Sequence, residues 1–183
     1  MSCPKTLTGI EVSCEGSAGG IKRVLVAPRD SINKPAISSA DTIVASAITA
    51  VETGVTFVEY KFRPQTGSLT STSSIDAAIG SSSVESTLSL QFTRMETAKR
   101  VAIQQAVSAG SVAIVIDYNG KAWYLGYDMP MYATNAVAQS GQAIGDLNGY
   151  TLELQDISFA LPYEVEGSES DINALLTSVP TAA

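Results

Sequence analysis

In several segments of this chain apolar residues recur at every second position, the period of a β-strand with one covered face. Val84–Phe92 shows it most cleanly. Val84, Ser86, Leu88, Leu90 and Phe92 stand on one side, and Glu85, Thr87, Ser89 and Gln91 on the other. Tyr150–Ile157 repeats the pattern, with Leu152 and Leu154 set against Thr151, Glu153 and Gln155. Ahead of these, Leu7–Val12 alternates, the glycine-rich stretch Gly16–Gly20 turns, and Ile21–Ala27 reads as a compact strand ended by Pro28, Arg29 and Asp30. Gly54 opens another strand, Val55–Arg63, in which neither alternating set is purely polar, so both of its faces are expected to be covered. Val112–Ile116 and Ala122–Tyr127 flank Asn119-Gly120. That dipeptide is the strongest short hairpin signal, because both central residues of a type I′ turn need positive φ. A Ser/Gly-rich loop then feeds the closing strand.

The period changes to that of a helix over about Met95–Ser108, where Met95, Ala98, Ala102 and Ala106 share a face, with Val101 and Ile103 beside them. Thr93 and Glu96 have capping-box spacing in front of it, and Gly110 follows it. Residues 31–52 mix β-branched residues with alanine and read as strand or irregular structure. Pro64–Ser83, PQTGSLTSTSSIDAAIGSSS, is too long for a plain connector. It reads as a mobile insertion or as an extended hairpin that orders only against a partner. Past Pro162 the chain turns acidic, becomes helical over Asp171–Thr177 and ends in a Pro/Thr/Ala tail expected to be partly mobile. The pattern as a whole predicts a mainly β fold, an antiparallel sandwich or barrel with one flanking helix at about 95–108. It occupies one domain over 1–163, followed by an acidic tail over 164–183.

Charge and composition narrow the chemistry. A formal charge of −7 disfavours a surface that grips nucleic-acid phosphates. All eleven Lys and Arg lie at or before Lys121, and eight acids with no base follow it. Histidine is absent, which removes the usual base for a serine or cysteine nucleophile, and no lysine is spaced to replace it. Cys3 and Cys14 fit no zinc motif. Asp117 and Asp128 read as residues flanking turns more than as a carboxylate pair, and Gly145–Gly149 lacks the further acids of a calcium loop. Gly16–Gly20 precedes a strand, where a phosphate loop would open a helix. Trp123, Tyr124 and Tyr127 lack the interleaved bases of a base-stacking platform. No enzyme, cofactor or metal is therefore expected. The start, MSCPKTLTG, lacks the pattern of a secretory signal, and no apolar run approaches the ~20 residues of a membrane span, so cytoplasmic synthesis without a membrane anchor is expected.

Gly9–Ala27, GIEVSCEGSAGGIKRVLVA, followed by the hairpin at Asn119-Gly120 and the loop SGQAIGDLNGYTLEL, resembles structural proteins of tailed bacteriophages and prophages, particularly of Bacteroidetes hosts, and most of all a tail tube (major tail) protein. The resemblance runs over about residues 7–163. It implies a virion protein whose copies form rings, commonly hexameric, with inner sheets joined around a channel and rings stacked through loops and termini. Its partners would be further copies of itself and other virion proteins, with DNA only as transiting cargo. In such an assembly Pro64–Ser83 would be an inter-ring arm, and acids among Glu59, Glu85, Asp117, Asp128, Glu153 and Asp156 would line the channel. Two other readings stand beside it. One is a different virion part, such as a head–tail connector, tail terminator or capsid decoration protein; the other is a non-viral β-sandwich binding module.

Overall fold

Ser111–Asp117 carries an unbroken apolar run, Val112–Ile116, and in a computed structural model covering residues 9, 10, 12, 14–76 and 78–181 it is buried on both faces. Around it, in chain order, lie β1 (Ile21–Pro28), β2 (Ile43–Val44), β3 (Val58–Tyr60), β4 (Gly67–Asp76), β5 (Ser81–Thr93), α1 (Thr97–Ser108), β6 (Ser111–Asp117 itself), β7 (Ala122–Leu125), β8 (Tyr132–Gln139), β9 (Gly149–Ser158), β10 (Tyr163–Glu166) and α2 (Glu169–Thr177). The strands form two sheets, a six-stranded one in the order β2-β10-β7-β6-β1-β3 and a four-stranded one in the order β4-β5-β9-β8. The class is mainly β and sandwich-like, with a flanking helix and no closed barrel.

Because side chains alternate along a strand, the six-stranded sheet feeds two cores. Leu25, Val112, Ile114 and Ile116 point to one side, where they meet Ile32, Ile43, Ile48 and Phe57 with Ile172, Leu175 and Val179. Val24, Val26, Ala113 and Val115 point to the other, against Leu88, Leu90, Leu152 and Leu154 of the four-stranded sheet and Ile103 and Ala106 of α1. A register shift between Ile21 and Arg23 turns Ile21 onto the same side as Val24.

The first core reaches past the boundary expected at residue 163. The segment expected as an acidic tail supplies β10 and α2, and it buries Val165, Ile172, Leu175 and Val179. The irregular stretch before β3 lies against it and is tied in by its backbone: Phe57 N donates to Leu175 O, Val179 N to Val55 O, and Ala50 N to Pro180 O. Ser168 and Asp171 close a complete capping box at the start of α2.

Other elements differ in extent. The expected strand Val55–Arg63 shrinks to three residues, because β1 pairs with it only from Val58 to Tyr60. Its two-sided apolar character has a plain cause: Phe57 enters the first core while Tyr60 and Phe62 pack on the second. The capping box expected at Thr93 does not form, since β5 runs on to pair Thr93 with Gly149. Arg94 then turns at φ 66°, Glu96 becomes the N-cap, and Asn148 Oδ1 accepts from Met95 N. On α1 the covered residues are Ile103 and Ala106, while Met95 and Val101 stay exposed. The Asn119-Gly120 hairpin is present without the type I′ turn. Only Gly120, at φ 80°, is left-handed there, as in a three-residue loop ending in a bulge. β8 and β10 carry no pattern that announced them. Pro64–Ser83 takes the hairpin form: β4 pairs with β5 of the same chain over ten positions.

Ile114 is fully buried at the centre of the first core. Ile114→Ala should cost about 2–5 kcal/mol in urea unfolding, whereas Ile79→Ala, at an exposed turn, should stay within about 0.5 kcal/mol. Equal effects of the two would contradict this burial pattern.

Candidate functional site

The four-stranded sheet has one face in the second core and one turned outward, and the outward face is composed almost wholly of hydroxyl and amide side chains. Thr87, Ser89 and Gln91 of β5 lie beside Gln155, Glu153 and Thr151 of β9, with Thr70 and Ser68 of β4 on one flank and Asn135 of β8 on the other. Two carboxylates, Glu85 and Glu153, stand on this face, and none of its four strands contains a Lys or Arg. They sit on different strands, offset by four register positions, or about 13 Å along the sheet. The apolar exceptions, Ile157, Val137 and Tyr132, lie towards β8 or one end.

The edges of the two sheets are unlike. The six-stranded sheet ends in β2 and β3, of two and three residues. The four-stranded sheet ends in β4 and β8, of ten and eight residues. Neither contains proline or a base, and Asp76 is the one charge in the two together. Short edges are protected against pairing with another chain, while long uncharged ones invite it. Although α1 runs near β8, every residue from Thr134 to Gln139 is exposed.

Of the six acids considered as channel lining, the fold brings only Glu85 and Glu153 onto this face. Glu59, on β3, is held by Arg23 at 2.7 Å, with Lys61 at 4.0 Å. Asp117 organises the hairpin loop, its Oδ1 accepting from Asn119 N and Lys121 N. Asn119 in turn holds the glycine-rich segment, accepting from Ala18 N and donating to Ala18 O. Asp128 is bound by Lys34 at 2.8 Å and by Phe159 N. Burial pushes its carboxyl up, but those two partners outweigh it and leave it below the ordinary value. Asp156 faces between the sheets and is 4% exposed. Sequence alternation already put Asp156 on the Leu152–Leu154 side of β9, a signal available without the structure.

The remaining motifs serve the fold. Asp146 accepts from Gln142 N and Ala143 N, so the Gly145–Gly149 segment closes its own turn. Trp123 reaches Asp117 Oδ2 at 3.5 Å. Cys14 is exposed, and Cys3 lies outside the described residues, as does part of the alternating stretch Leu7–Val12. Among the described residues no three His, Cys, Asp or Glu cluster as metal ligands, and no helix is long and apolar enough to cross a membrane. No protein-family model matches the chain, and no curated protein or solved structure matches it at a significant level.

Asp156 Oδ2 accepts from Gly126 N at 2.9 Å, but its Oδ1 has no partner. Burial is the main cause raising its carboxyl above the usual range. The folded protein therefore favours the neutral form, and this residue costs stability as pH rises from the ordinary carboxylate value through the raised one. Asp156→Asn, which keeps an acceptor for Gly126 N, should stabilise the protein at pH 7, with the gain shrinking below about pH 4. Urea unfolding at both pH values checks this, and an Asn variant less stable at pH 7 would contradict it.

Proposed function

We propose that this chain is a structural subunit of a phage tail tube, whose copies join side by side into rings, hexameric as the family resemblance implies, that surround a DNA passage. The reading rests first on one observation: the four-stranded sheet has two long, unpaired edges with a single charge between them and a base-free polar face. Pairing β4 of one copy with β8 of the next satisfies both edges at once. Repeated around a ring, it makes one continuous sheet without free edges. The hydroxyl and amide face, with Glu85 and Glu153, then lines the interior. Such a wall offers phosphates no cation to pair with, and its two carboxylates per copy repel them, so DNA passes as cargo without sticking. The active partners are other copies and the neighbouring virion proteins, and the site of action is the virion. On this reading the chain performs no catalysis.

The purified protein should form rings or hollow tubes by electron microscopy, and a reconstruction should place Glu85 and Glu153 towards the lumen. A single closed ring that never stacks would favour a connector or terminator. A monodisperse monomer, or rings with that face on the outer wall, would contradict the reading.

A further inference from the structure

The β4–β5 hairpin extends past the rest of its sheet. β9 accompanies β5 only as far as the Val84–Ser158 pair, so Ser81–Ser83 and Ser74–Asp76 pair with each other alone. This leaves an overhang of about 10 Å before the turn. Near its end are two isoleucines with nothing to cover them, Ile75 at 75% and Ile79 at 76% exposure. The tip is ordered by Asp76, whose Oδ1 accepts from Ala78 N and Ile79 N. The hairpin Gly67–Thr93 carries two acids, Asp76 and Glu85, and no base.

At the other end of β5, about 36 Å from Ser81 along the strand, lies a groove of about 310 Å³. Its floor is apolar, made by Tyr60, Phe92, Ala98, Ala102 and Ile103; Lys61 and Lys99 stand at its rim, and Glu59 completes the lining. The two segments that border it, Val58–Arg63 and Arg94–Arg100, carry five bases and two acids. Of those acids, Glu59 is held mainly by Arg23 at 2.7 Å, with Lys61 farther off at 4.0 Å, and Glu96 lies against Arg94 and Lys99. One end of the chain therefore presents an acidic, isoleucine-tipped finger, and the opposite end a cation-rimmed apolar groove.

We propose that the groove between β3 and α1 receives the β4–β5 hairpin tip of a second copy of this chain, with Ile75 and Ile79 on the apolar floor and Asp76 facing Lys61. Because finger and groove are different surfaces at opposite ends, one contact leaves a free finger and a free groove, so the interaction propagates as an open head-to-tail series. The contact rests on the proposed ring and names what joins one ring to the next. It also gives the exposed isoleucines and the apolar groove a shared reason to be uncovered in a single chain.

The test uses the full chain. Ile75→Asp with Ile79→Asp, and separately Ala98→Arg, change exposed residues and leave both cores intact. Both variants should form rings that do not stack, seen by negative-stain microscopy and sedimentation velocity. In a Cys3→Ser, Cys14→Ser background, Ile79→Cys with Ala98→Cys should yield a ladder of disulfide-linked multimers under mild oxidant. Variants that stack like the unaltered protein, or stacked rings that give no ladder, would overturn the contact and leave the ring reading standing. An unaltered chain that forms neither rings nor stacks would overturn both.

Discussion

The rest of the structure depends on one constraint: the central strands of the six-stranded sheet are apolar on both faces. A strand such as Ser111–Asp117, with Val112, Ile114 and Ile116 on one side and Ala113 and Val115 on the other, is stable only if both sides are covered. The irregular segment after β1 covers one side together with α2, and the four-stranded sheet with α1 covers the other. Since the covering sheet has only one face in the core, its second face is free to be polar. The base-free outward wall is thus what remains once the double-sided strand has been satisfied. The functional reading is built on that wall and on the two edges that border it.

The same logic separates the two sheets by their edges. The doubly covered sheet ends in strands of two and three residues, where little backbone is left to pair. The covering sheet ends in strands of ten and eight residues that carry a single charge between them. A monomeric protein protects such edges with lysine, proline or a covering element. Here β8 has a bulge between Ala133 and Asn135, but the rest of the strand runs uninterrupted beside β9. Long open edges are a liability in a single chain and an asset in a ring.

Much of this was legible in the residues where alternation was strong. Val84–Phe92 and Tyr150–Ile157 announced the inner faces of β5 and β9, and Ile21–Ala27 announced β1. Elements that depend on context were hidden. β8, with Ala, Asn and Thr along its length, has no apolar face of its own, and it is a strand because β9 offers it an edge. α2 was partly visible, but its capping box, Ser168 with Asp171, has Asp where the usual pattern has Glu or Gln, and the acidic composition around it hid Ile172 and Leu175. The strand expected over Val55–Arg63 was shortened by its partner, and the helix cap expected at Thr93 was lost to a longer β5. Of the six acids, three were spoken for by nearby bases or turns and Asp156 by burial, relations that only tertiary structure creates.

The central claim is that β4 and β8 are completed by other copies of the chain. Amide hydrogen exchange, followed residue by residue at low and high protein concentration, tests it most directly. The account expects amides of Gly67–Asp76 and Tyr132–Gln139 to gain protection together as concentration rises, while β5 and β9 are protected throughout. Edge amides that exchange at one unchanged rate at every concentration would contradict it.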